Sequence, residues 1–252
     1  MTKPKTGQVV AVIPARFGST RFPGKPLALI AGRPMIQWVY QRAAAARSVN
    51  QVLVATDDER IVSAVAAFGG RAVMTSPAHP SGTDRIAEAI AGSPADLVLN
   101  IQGDEPLLPS RVIDALVERM RSSQADMGTV AVPLAAGSVD FANPNIVKVV
   151  VNALGEALYF SRAGIPFQRA DGAAMEALWH WGIYAYQRRF LEAFVAWPQG
   201  RLERCEQLEQ LRALEHGTRI QVLIERTAQS AGVDVPEDVA RVERLLRERG
   251  EA

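Results

Sequence analysis

The sequence predicts an α/β fold built on an open, mostly parallel sheet with helices on both faces. Two observations predict it. Short, continuous apolar runs read as strands buried on both faces. Each is followed by a segment of helical periodicity, and this alternation repeats through the first half of the chain.

Val9–Pro14 is the first such run, and Pro34–Arg47 the helix after it, with Pro34 near its start. Val52–Thr56 is the next strand, and Glu59–Phe68 the next helix, stopped by Gly69 and Gly70. Ala72–Met74, Leu97–Ile101 and Met127–Pro133 read as further strands. Asp84–Ile90 and Ser110–Ser122 read as helices, the second capped by Ser110.

The pattern changes after residue 134. Val147–Val151 and Ala157–Phe160 flank Asn152-Ala-Leu-Gly155 and predict a hairpin. Ile165–Asp171 reads as a loop and His180–Tyr186 as a strand. Leu202–His216 predicts one helix with an apolar stripe of Leu202, Cys205, Leu208, Leu211 and Leu214. Ile220–Ile224 is a strand, and Pro236 opens a last amphipathic helix. No linker separates independent domains. The expectation is one domain over 1–252: residues 8–134 form its first half, 135–216 an inserted antiparallel subdomain, and 217–252 a return to the main sheet.

Composition narrows the function. The 252 residues carry a net charge of +1, so no bulk field favours nucleic acid or a membrane surface. The single cysteine, Cys205, excludes an intrachain disulfide and agrees with a reducing compartment. The early apolar run is too short for a signal-peptide core, and no run of about 18 apolar residues predicts a membrane span.

In a doubly wound sheet ligands bind beyond the carboxyl ends of the strands. After the first strand comes Pro14-Ala-Arg-Phe-Gly-Ser-Thr-Arg-Phe-Pro-Gly-Lys-Pro26. Glycines there let main-chain N–H groups approach a triphosphate, and Arg16, Arg21 and Lys25 supply charge. The spacing is not that of a Walker A loop, and Pro26 stands where that motif needs Ser or Thr. After Leu97–Ile101 comes Gln102-Gly-Asp-Glu-Pro106, whose carboxylates suit a Mg²⁺ shared with substrate phosphates, or simply form a solvated acidic turn before the next helix. His79-Pro-Ser-Gly-Thr-Asp-Arg85 is a polar loop entering a helix, able to read a base or ribose or simply to cap that helix. Asp234 reads as part of the cap before Pro236. His180 between two tryptophans reads first as a packed residue. Arg162 is suited to clamping a carboxylate or pairing with an internal acid. Glu206, Glu209 and Gln210 read as a solvated helix face.

Taken together, IPARFGSTRFPGKPL, VATDDERI, HPSGTDRIAE, NIQGDEPL, NPNIVKVV, ALYFSRAGIP, HWGIYAY, LEQLRALEHG and GVDVPEDVARV resemble the 3-deoxy-manno-octulosonate (Kdo) cytidylyltransferase family. The resemblance runs from Val9 to Leu246. It implies a Rossmann-like fold in which 8–134 is the nucleotide-binding half and 135–216 the inserted antiparallel sugar-binding and dimerisation subdomain, with Mg²⁺ and a homodimer. It implies a cytoplasmic reaction of CTP with Kdo, giving CMP-Kdo and pyrophosphate for lipopolysaccharide assembly. By the same resemblance Arg16, Arg21 and Lys25 hold the triphosphate, and Ala15, Ser81, Gly82 and Gln102 contact the cytidine. Asp104 and Asp234 bind the metal, and Arg162, His180, Tyr184, Glu209 and Gln210 line the sugar pocket. Tyr159–Ile165 contributes to the dimer contact. Trp181 and Gln187 depart from the family's usual residues beside that pocket. A related acidic sugar, such as 8-amino-Kdo or sialic acid, and a non-catalytic nucleotide-binding regulator are the alternatives.

Overall fold

A computed structural model describes residues 7–18, 22–134, 138–169, 176–227 and 231–251. In chain order the elements are β1 (Val9–Ala15), β2 (Leu29–Ile30), β3 (Arg33–Pro34), α1 (Met35–Ala44), β4 (Gln51–Thr56), α2 (Glu59–Ala67), β5 (Ala72–Met74), α3 (Gly82–Ala89), β6 (Leu97–Asn100) and α4 (Ser110–Ser122). There follow β7 (Met127–Pro133), β8 (Lys148–Val151), β9 (Ala157–Ser161), β10 (Leu178–Gln187), α5 (Arg188–Ala196), α6 (Arg201–Glu206), α7 (Gln210–Glu215), β11 (Ile220–Ile224) and α8 (Asp238–Glu248). The chain divides into two compact units, residues 1–114 with 229–252, and residues 115–228.

In the first unit β6, β1, β4 and β5 lie side by side, all parallel. β1 is buried along almost its whole length, as its unbroken apolar run requires. The chain steps outward from β1 to β4 to β5, then crosses back to β6. Right-handed crossovers therefore put α1 and α2 on one face and α3 on the other. The direction reverses between β1 and β6, which opens a crevice at their carboxyl ends.

Local chemistry sets the helix ends. Asp58 caps α2 by accepting from the Arg60 N–H, and Gly69 (φ 78°) follows its end. Ser81 caps α3, accepting from Thr83 and Asp84. Pro34 precedes α1 rather than opening it. The turn into α8 is closed by Asp238, whose carboxylate accepts from the Asp234 and Val235 N–H groups. α8 is anchored by an apolar cluster of Ile30, Met35, Trp38, Leu107, Val233, Val242 and Leu246. That burial brings the chain's last segment back onto the first unit, with Val233 in the cluster and Asp234 at its edge.

The second unit has a mixed sheet. β11 pairs parallel with β7, β7 antiparallel with β10, β10 with β8, and β8 with β9. The Asn152–Gly155 hairpin is present. The Asn152 carboxamide oxygen accepts from Leu154 and Glu156, and Gly155 takes φ 74°.

The single helix expected over Leu202–His216 is instead two, α6 and α7. Gln207 adopts the left-handed conformation (φ 53°) and ends the first. The turn swings the apolar stripe apart: Leu208 and Leu211 are buried, whereas Leu202 and Cys205 are exposed. The two short helices are held together by a buried ion pair. Arg212 donates through Nε and Nη2 to both oxygens of Glu203, at 2.8 and 2.7 Å, with side chains only 7% and 6% exposed. The guanidinium also lies over the Phe194 ring.

Removing Glu203 leaves the buried Arg212 with the more distant Glu209, at 3.5 Å, as its nearest remaining carboxylate among the described residues. Glu203→Ala is expected to cost about 3–5 kcal/mol in urea denaturation. A Glu203→Met, Arg212→Met double variant should recover most of that loss, since well-packed apolar pairs often replace buried ion pairs without cost. A single variant within 1 kcal/mol or so of the parent would contradict this assignment.

Candidate active site

The loops after β1 and β6 meet at the crevice where the sheet reverses direction. Gly103 lets this happen: a Cβ there would lie 3.3 Å from the Pro14 carbonyl oxygen and 3.6 Å from Ile13. The loop after β1 closes with a hydrogen bond from Gly24 N–H to the Phe17 carbonyl, 2.9 Å. Gly24 has φ 71°, and a Cβ would meet the Phe17 ring at 3.0 Å. Phe17 in turn packs under the Arg60 guanidinium, whose carbon lies 3.4 Å from the ring centre. Arg60 is itself held by a two-point contact with Asp58.

Two neighbouring cavities lie here, sharing Pro14, Ala15, Arg16 and Gln102. The smaller, ≈ 170 Å³, adds His79, Ser81, Gly82 and Arg85. The larger, ≈ 400 Å³, adds Gly18, Lys25, Gly103 and Asp104, among others. One end thus offers hydroxyl, main-chain and guanidinium groups, and the other a lysine beside a carboxylate. Gln102 is oriented by its neighbour: its Nε2 donates to Asn100 Oδ1 at 3.0 Å.

Lys25 organises the larger cavity. Its Nζ donates to Asp104 Oδ2 at 2.7 Å and to the Val233 carbonyl at 3.0 Å, and lies 3.8 Å from Asp234 Oδ1. Val233 N–H donates to the Asp104 carbonyl at 2.9 Å, which fixes the C-terminal segment against the loop. Oxygens thus converge on one positive charge. Two carboxylates and a carbonyl are hard donors and suit Mg²⁺, which takes few protein ligands and completes its shell with water and phosphate oxygens. Among the described residues no group of three His, Cys, Asp or Glu side chains makes a fuller metal cage.

Most residues expected at the nucleotide site therefore come together: Ala15, Arg16, Lys25, Ser81, Gly82, Gln102, Asp104 and Asp234. Arg21 lies outside the described residues. Ser81 both caps α3 and lines the smaller cavity, so its two readings are compatible. Asp234 takes part in the turn before α8 through its N–H, which donates to Asp238, and its carboxylate lies 3.8 Å from Lys25, so both readings of it find a contact. Sequence reasoning passed over Arg85 as a site residue. It is buried, donates to Thr75 Oγ1 at 2.6 Å and to Asp57 Oδ2 at 2.7 Å, and faces the smaller cavity. The signal was its place at the end of the HPSGTDR loop.

In the second unit, the residues expected to hold the sugar form a polar cluster within an aromatic setting. Thr129 Oγ1 lies 2.7 Å from the Ile183 carbonyl and 3.0 Å from His180 Nε2. The hydroxyl has one proton, and a carbonyl can only accept, so His180 donates from Nε2. Burial holds His180 far below its ordinary 6.5, at about 3, so the ring is neutral. Tyr184 donates to Gln210 Oε1 at 3.1 Å, and burial, with the Glu209 charge, pushes its pKa up. Gln210 is buried, and its Nε2 has no hydrogen-bond partner among the described residues. The solvated face expected for Glu206 and Gln210 is thus corrected: α7 turns Gln210 inward, and Glu206 accepts from Ser161 Oγ and the Arg162 N–H. The Arg162 guanidinium donates to the carbonyls of Pro144, Glu206 and Gln207 rather than pairing with an internal acid.

A buried histidine of low pKa makes stability depend on pH. The unfolded chain takes up a proton below about 6.5 and the native ring does not, so stability falls as pH drops from there towards about 3. The stability advantage of the parent over His180→Phe should shrink by about 1 kcal/mol per pH unit between pH ~6.5 and ~5. Denaturant midpoints of the two proteins across that range test this; a constant difference would contradict it.

Comparison with known proteins places the chain. A sequence model of the cytidylyltransferase family matches residues 10–220. The 3-deoxy-manno-octulosonate cytidylyltransferase of Vibrio cholerae serotype O1 (strain M66-2) is 49% identical over 95% of this chain and 98% of its own. That of Desulfatibacillum aliphaticivorans is 51% identical over 96% of this chain and 100% of its own. A solved CMP:2-keto-3-deoxy-manno-octonic acid synthetase, complexed with CTP, superposes with TM-score 0.92 at 44% identity, covering 96% of this chain and 99% of that one. A 4-diphosphocytidyl-2C-methyl-D-erythritol synthase shares the fold alone, with TM-score 0.64 at 18% identity over 95% of this chain and 98% of that one. With a family model over most of its length and relatives near half identity, the chain belongs to the cytidylyltransferases, in the 3-deoxy-manno-octulosonate cytidylyltransferase family.

Proposed function

We propose that this enzyme transfers CMP from CTP to Kdo, forming CMP-Kdo and pyrophosphate. The observation that carries the reading is the pair of cavities joined through Ala15, Arg16 and Gln102. One has the polar groups a cytidine needs, and the other the charge a triphosphate needs. The identity with Kdo cytidylyltransferases selects the two substrates.

The reaction is an in-line displacement. The sugar's anomeric hydroxyl attacks the α-phosphorus, and pyrophosphate leaves. Little covalent chemistry falls to the protein, so its task is positioning and charge compensation. Ser81 and Gly82 hold the nucleoside end, Gln102 spans both cavities, and Arg16 and Lys25 draw the β- and γ-phosphates away from the reacting centre. Asp104 and Asp234 are the residues that would hold Mg²⁺, which when bound neutralises phosphate charge. Gln210, with a buried donor in need of an acceptor, and the neutral His180 orient the sugar, with Tyr184, Glu209 and Arg162 around them. In this reading the enzyme acts as a homodimer in the cytoplasm and feeds lipopolysaccharide assembly. The exposed Leu154, Leu158 and Phe167 near β9 supply apolar surface for such a dimer.

Pyrophosphate release measured with the four nucleoside triphosphates, each against Kdo, 8-amino-Kdo and sialic acid, tests the reading. CTP with Kdo is expected to exceed every other pair; comparable release with sialic acid, or release without any sugar, would overturn it. Asp104→Asn is expected to lower turnover at saturating Mg²⁺ by at least about a hundredfold. Near-normal turnover would remove Asp104 from the metal site.

A further inference from the structure

We infer that Lys25 is a placeholder cation: without nucleotide its ammonium fills the position between Asp104 and Asp234, and a metal binds there only once a triphosphate draws the lysine away. This rests on the proposed metal role of the two aspartates. It adds an order of events, in which nucleotide and metal enter together.

The geometry behind it is specific. Lys25 Nζ makes its short contact with Asp104 at 2.7 Å, its second with the Val233 carbonyl at 3.0 Å, and lies 3.8 Å from Asp234. These groups come from the QGDEP loop and from the C-terminal segment, 79 and 208 residues away from Lys25 along the chain. Two carboxylates facing one crevice repel each other, and an ammonium between them offsets that repulsion. Lys25 itself is mostly buried, its side chain 16% exposed, whereas Asp234 is 60% exposed. The ammonium therefore has little water to retreat to and holds its oxygen partners until a stronger anion arrives. A triphosphate in the larger cavity is that anion, since Lys25 and Asp104 both line it. Once the ammonium turns to phosphate, the two carboxylates lose the cation they share, and a divalent cation takes its place.

The test is Mn²⁺ binding to the full chain without nucleotide, followed by the loss of the free-ion electron paramagnetic resonance signal. Lys25→Met is expected to bind Mn²⁺ at least about tenfold more tightly than the parent. Arg16→Met removes a nearby charge that is not bonded to Asp104, and should change affinity by less than about threefold. A Lys25→Met, Asp104→Asn double variant should lose the gain. If Lys25→Met binds no more tightly, or Arg16→Met tightens binding equally, the placeholder role is wrong. If the gain survives Asp104→Asn, the metal assignment fails with it. Lys25→Gln, which keeps a hydrogen-bond donor but no charge, gives the same readings should Lys25→Met not fold.

Discussion

One ammonium ties together what this site is made of. Lys25 links the loop after β1 to the loop after β6 through Asp104, and to the C-terminal segment through Val233. The parallel order β6-β1-β4-β5 sets those two loops side by side, because the chain reverses its direction of winding between β1 and β6. The apolar seat of α8 brings a third segment, Val233 and Asp234, to the same place. Remove the ammonium, and Asp104, Asp234 and the Val233 carbonyl lose the cation they all face. The fold thus creates a cation-seeking point, and the chemistry of nucleotidyl transfer uses one.

The nucleotide half was legible in the sequence because its signals are local. Apolar runs such as Val9–Pro14 and Leu97–Ile101 must be buried strands, and a doubly wound sheet then dictates where ligands go. Basic residues in the loop after one strand and Asp104 in the loop after another follow from that rule alone. Asp234 was less legible. Its distance from Lys25 depends on where α8 docks, and α8 docks through contacts with residues such as Ile30 and Leu107 that no sequence spacing reveals. Arg85 was hidden for a similar reason: a buried arginine is recognised by its partners, Thr75 and Asp57, which sit on other elements.

The second unit shows where periodicity misleads. Leucines spaced by three over Leu202–Leu214 fit one amphipathic helix, yet a left-handed Gln207 divides it. Nothing in the hydrophobic pattern marks that residue. The division has consequences, since it turns Gln210 inward onto Tyr184 and leaves its Nε2 buried and, among the described residues, unpaired. A buried donor without an acceptor costs about 1–3 kcal/mol, a cost that a polar substrate group would relieve. His180 was read first as a packed residue and is one, held by Thr129 and by the Phe160 ring. Packing does not conflict with the proposed sugar-positioning role, because a neutral ring locked in one orientation would be a better positioning group than a free one.

The central claim is that a sugar oxygen takes the α-phosphorus of CTP and the outer two phosphates leave as one piece. Following the reaction of CTP, Kdo and Mg²⁺ by ³¹P nuclear magnetic resonance tests it most directly. The account predicts that the three triphosphate resonances give way to a sugar phosphodiester and pyrophosphate in equal amounts. Formation of CDP with inorganic phosphate, or consumption of CTP without a phosphodiester, would contradict it.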